Sequence, residues 1–124
     1  MTRLTLGGAA LTAMMLIASS AQAQNQVTAE AWLDTMLNEL PGFFCQDDEY
    51  FMQCFDVDQA ECRTISKEQA QRCIDEMAGQ LPALLNMPDD GRKWGSDLGR
   101  CAGIGYDLAL AERKSASPRC NPSQ

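Results

Sequence analysis

Apolar residues recur along this chain at the intervals of helices rather than strands. Thr28 offers a side-chain oxygen to a helix start, and Glu30 places an anion in the first turn, where the helix dipole favours it. Trp32, Leu33, Met36, Leu37 and Leu40 then share one face, which predicts a helix over 29–40 that Pro41-Gly42 ends. Phe44, Phe51 and Phe55 share a face of a second helix over 46–55, with Cys45 just before its first turn. Asp58 followed by Glu61 is a capping-box arrangement, flanked by Val57 and Cys62 as a staple. Ala70, Cys73, Ile74, Met77 and Leu81 make the buried side of a third helix running to about 79, and Ser66 followed by Gln69 allows a kink near 64–66. From Pro82 to Gly91 the chain reads as a turn-rich connection.

The stretch from Gly91 to Lys114 predicts the central helix. Trp94, Leu98, Cys101, Gly105 and Leu108 fall on one face, and Gly95, Gly99 and Gly103 form an adjacent strip with Ala102, Tyr106 and Leu110. Asp97, Arg100 and Asp107 occupy the remaining side. Interior glycines cost a helix about 1 kcal/mol each relative to alanine. Close packing of a neighbouring helix along Gly95, Gly99 and Gly103 is the expected compensation. With little Val, Ile or Thr to build strands, the fold class is all-α. The expected architecture is a small disulfide-stapled bundle of about four helices, with the glycine-rich C-terminal helix central.

The N-terminus changes the picture of where the chain works. Arg3, the apolar run Leu4–Ala18 and the small-x-small sequence Ala21-Gln22-Ala23 form a secretory signal over 1–23. Residues 24–124 then form one helical domain, exported to the periplasm or beyond. The first cysteine is Cys45, far from the cleavage site, which disfavours a lipid anchor, and no membrane span is expected after cleavage. Ten basic and 17 acidic residues give a formal net charge of −7, and loss of Arg3 makes the mature chain one unit more negative. Such a surface repels nucleic acid and anionic lipid and favours solubility or a basic protein partner.

Six cysteines in a short exported chain read as three disulfides, each worth typically 2–4 kcal/mol. If the second and third helices run antiparallel across a short turn, Cys54 pairs with Cys62 and Cys45 with Cys73, leaving Cys101 with Cys120. A crossed arrangement tying Cys101 to the hairpin is the alternative. In outline the hairpin resembles the twin-cysteine helical hairpins of the CHCH type, with spacings of its own. The resemblance implies a way of packing and no function.

Histidine is absent, which removes Ser-His-Asp and Cys-His catalysis and histidine-based zinc or haem sites. Asp56-x-Asp58 is no calcium loop, because Glu61 stands at the sixth position and Lys67 at the twelfth. Gly99-x-x-x-Gly103-x-Gly105 lacks the preceding strand of a dinucleotide site. There is no Cys-x-x-Cys pair. No cofactor and no metal are expected. Asp47, Asp48 and Glu49 form the densest carboxylate cluster, which suits a helix N-terminal turn. Tyr50 and Met52 are expected to point away from the phenylalanine stripe beside it. The expectation is an exported protein-binding module without catalysis, of inhibitor or immunity type, with Asp47, Asp48, Glu49 and Tyr50 as its contact surface. A small carboxylate-based envelope hydrolase and a structural or accessory subunit of an envelope complex are the alternatives.

Overall fold

A computed structural model describes residues 25–123, so the secretory signal expected over 1–23 lies outside the described residues. The chain is mostly helical and forms a small all-α fold with three disulfides. Strand β1 (Gln26–Thr28) leads directly into helix α1 (Ala29–Phe44). The Thr28 hydroxyl accepts from the Ala31 N–H at 3.2 Å. Trp32 and Leu40 are buried on one face of α1, with Leu33, Met36 and Leu37 packed beside them.

Pro41 does not end α1, which continues one more turn to Phe44. Proline in a helix interior costs about 3 kcal/mol through a lost hydrogen bond and a clash. The extra turn places Cys45 in a disulfide with Cys62 and stacks Phe44 on Phe51 at 4.1 Å between ring centroids.

The second helix is much shorter than expected. Residues 46–49 form a turn, closed by the Glu49 N–H on the Gln46 carbonyl at 3.0 Å, and α2 covers only Tyr50–Gln53. Helix α3 (Gln59–Met77) starts at Asp58, whose carboxylate accepts from the Glu61 N–H at 2.8 Å. It runs without interruption through the expected kink. Ser66 caps nothing; it is fully buried, with Oγ 3.5 Å from Cys45 Sγ and 3.9 Å from Cys62 Sγ.

Beyond a 3₁₀ turn at Ala78–Gln80, the segment read as turns contains strand β2 (Leu84–Asn86). It pairs antiparallel with β1, Val27 opposite Leu85. Leu85 is fully buried, while Val27 and Leu84 are exposed. Helix α4 (Asp89–Ala109) follows, and two further 3₁₀ turns close the chain.

Helix α3, rather than α4, occupies the middle: it lies along α1 on one side and α4 on the other. Trp32, Leu40, Ile74, Met77, Leu98 and Ala102 meet in the core between the three. A second cluster gathers Phe55, Tyr106 and Leu110 around the Cys45–Cys62 and Cys54–Cys120 bridges.

The disulfides are Cys45–Cys62, Cys54–Cys120 and Cys73–Cys101. None of the pairings expected from a hairpin of the second and third helices is present. With α2 reduced to four residues, the antiparallel neighbours of α3 are α1 and α4. Cys45, at the C-terminal end of α1, therefore meets Cys62 near the start of α3. Cys73 meets Cys101 across the α3–α4 contact, which is the tie between Cys101 and the hairpin held as the alternative. Cys54, freed from any long helix, fastens the C-terminal tail through Cys120.

Helix α4 also sits rotated from expectation. Leu98, Ala102, Gly105 and Tyr106 are its buried line, and Leu108 is 74 % exposed. The strip Gly95, Gly99 and Gly103 does not receive a helix backbone. A Cβ at Gly95 would lie 3.7 Å from the Trp32 ring, one at Gly103 would lie 3.2 Å from Phe51 Cζ, and one at Gly99 would meet nothing within 4 Å. The glycine against α3 is Gly105, whose Cβ would come within 2.7 Å of Arg72 Nη2 and closer still to Gln69.

Candidate functional site

The corner where the 46–49 turn, α2 and the tail meet α4 carries the expected contact residues. Asp47, Asp48 and Glu49 are all exposed. Their backbone is nonetheless held. Gln59 Nε2 donates to the Cys45 carbonyl at 2.6 Å and to Asp47 Oδ1 at 2.8 Å, and Gln53 Nε2 donates to the Asp47 carbonyl at 3.2 Å. The Cys45–Cys62 bridge closes the turn from one end, and α2 continues it at the other. Among the described residues none of the three carboxylates takes part in an ion pair. The turn is thus an acidic projection on a fixed base.

Tyr50 differs from the other three. It is half-buried, not an outward-pointing aromatic, and its ring meets Phe51 and Phe55 edge to face at 5.2 and 5.6 Å. Its hydroxyl donates to Asp107 Oδ2 at 2.5 Å, and Lys114 Nζ binds the same carboxylate at 3.1 and 3.2 Å. Burial, with the Asp107 hydrogen bond, raises the Tyr50 hydroxyl above its ordinary range. Met52 likewise packs against the aromatic cluster instead of pointing away from it. The four residues therefore split: three project, and Tyr50 anchors the base.

Tyr106 completes this base. It is fully buried, and its hydroxyl donates to the Phe51 carbonyl at 3.1 Å, which fastens α2 onto α4. Burial pushes its pKa up to about 12. The tail clamps the other side. The Asp56 N–H donates to the Arg113 carbonyl at 3.0 Å and the Ser115 N–H to the Cys54 carbonyl at 2.8 Å. Arg113 donates to Glu61 with both terminal guanidinium nitrogens, at 2.5 and 2.8 Å, and also reaches the Asp56 carbonyl. These bonds hold the Glu61 carboxyl below its ordinary range. The capping box is accordingly only half formed, since the Glu61 side chain serves the tail.

Beside this base an open groove of about 540 Å³ runs along α4, bordered by Tyr50, Phe51, Gly99, Gly103, Ile104 and Leu108, with Arg100 and Asp107 on its polar edge. Sequence reasoning missed it because Leu108 was assigned to the buried face. The available signal was Ile104, one turn before Leu108 and on the same side as Arg100 and Asp107. Among the described residues no group of His, Cys, Asp or Glu side chains could hold a metal ion, and no helix is long and apolar enough to cross a membrane.

No curated protein and no solved structure matches the chain. A family match does exist, and it spans β1 through the tail clamp at Lys114. Residues 26–114 match the family described as T2SS substrate NttA, and the chain belongs to this family of small secreted proteins.

Proposed function

We propose that this protein is a non-enzymatic binding module that is oxidised in the cell envelope and released outside the cell to dock a basic protein partner. The observation that carries the reading is the 46–49 turn: three exposed carboxylates, none in an ion pair among the described residues, on a backbone held by Gln59, Gln53 and a disulfide. Holding the turn rigid lowers the ordering cost of binding, and its charge steers a cationic surface toward it. The periplasm supplies the oxidising conditions that three bridges require. The family description, a T2SS substrate, supports onward export of the folded chain.

The test is capture of extracellular proteins on the immobilised mature chain. Asp47→Lys with Asp48→Lys should lose a partner that the unaltered chain retains at low salt. The unfolding midpoint of the variant should fall only slightly, through loss of the exposed Gln59–Asp47 side-chain hydrogen bond. Equal capture by both proteins removes this turn from the binding surface.

A further inference from the structure

We propose that the outer face of α4 is a self-association surface, on which a second copy of this chain seats antiparallel about a two-fold axis beside Ile104. The proposal uses different residues from the acidic turn, so either can fail alone. Ile104 is 56 % and Leu108 74 % exposed, one helical turn apart on the solvent side of α4, where they also border Gln69 and Arg72 of α3. Arg100 and Asp107 line the same groove. Seven residues separate them, so they stand two turns apart, roughly 10 Å along the axis and on nearly the same line of the helix surface.

Arg100 makes no hydrogen bond or ion pair among the described residues. Asp107 is 34 % exposed in its side chain, and its Oδ1 accepts only from Lys114 among the described residues, which leaves capacity for another donor. Asp97 lies on the same side and Lys114 shares Asp107 within the chain, but the line from Arg100 to Asp107 carries a cation at one end and an anion at the other and is thus the complement of its own reversed copy. With the axis midway, each Arg100 lies level with the Asp107 of the other copy, and the pairing forms twice. The two Ile104 side chains then meet beside the axis, with Leu108 flanking them. Gly99, whose Cβ position is open, leaves the groove shallow enough for a second helix to approach. A contact of this kind uses the same patch on both copies and closes at two. Charge complementarity selects the second copy: an unrelated helix would need both charges at the same spacing and in reverse order. Standard interfaces bury about 800 Å² per partner; with Ile104 and Leu108 as its only exposed large apolar residues on α4, this face should give a dimer that dissociates on dilution.

Sedimentation equilibrium of the mature, oxidised chain from micromolar to millimolar concentration tests this. The expected result is a monomer–dimer equilibrium that saturates at two. Arg100→Glu should weaken it about tenfold or more, and Ile104→Asp should remove it, with unfolding midpoints near that of the unaltered chain. Ile104→Cys should give a covalent dimer under mild oxidation, whereas Gln71→Cys, exposed on α3, should not. A monomer at the highest concentration overturns the proposal, and so does a dimer indifferent to Arg100→Glu and Ile104→Asp.

Discussion

Of two alanine substitutions on one helix, only one should stabilise the protein. At Gly99 an added Cβ meets nothing within 4 Å, so only helix propensity changes. That term favours alanine by about 1 kcal/mol, because the unfolded chain loses conformational freedom and the helix gains no clash. For a domain of this size the unfolding midpoint should rise by about 4–8 °C. Gly103 carries the same propensity gain, but its Cβ would stand 3.2 Å from Phe51 Cζ and 3.9 Å from Phe44 Cζ. Phe51 has little room to yield: it stacks on Phe44 at 4.1 Å and meets Tyr106 edge to face at 4.9 Å. Overpacking of this kind costs about 1–3 kcal/mol, which cancels or exceeds the gain. Urea unfolding of both variants at dilute concentration, disulfides intact, measures the difference. Gly99→Ala should be more stable than the unaltered chain, and Gly103→Ala no more stable than it. A destabilised Gly99→Ala, or equal stabilisation by both, would refute the placement of α2 over α4.

Tyr106 supplies the remaining predictions. Its folded pKa of about 12 exceeds its ordinary value of 10.0, so the folded state holds a proton that the unfolded state has released. Stability from this group is complete below pH 10 and should fall as pH rises toward 12, which chemical unfolding over that interval would show. Tyr106→Phe should cost about 1 kcal/mol in the same assay at neutral pH, since the Phe51 carbonyl loses its donor, and should flatten the alkaline decline.

Local chemistry was legible in the residues, and neighbourhood was not. Thr28 and Asp58 begin α1 and α3 as their side chains require, because an N-cap acts within three residues. The all-α class follows from helical periodicity and the shortage of β-branched residues. Disulfide pairing depends on which helices adjoin. Once α2 contracts to Tyr50–Gln53, the hairpin argument loses its first arm. Leu84–Asn86 carried no alternation to mark a strand; only β1, nearly sixty residues earlier, makes it one. The glycines of α4 were read as a helix contact, but aromatic side chains, Trp32 and Phe51, approach Gly95 and Gly103. At the candidate site Asp47, Asp48 and Glu49 were evident from charge density. The anchoring role of Tyr50 was not, because its partners Asp107 and Lys114 lie more than fifty residues away.

The account depends on three bridges that hold the acidic turn, the tail and the α3–α4 pair in fixed relation. Proteolytic mapping of the mature protein without reductant tests this most directly. Peptides joined as Cys45–Cys62, Cys54–Cys120 and Cys73–Cys101 are the expected result. Recovery of Cys54–Cys62 with Cys45–Cys73, or of free thiols at these positions, would contradict it.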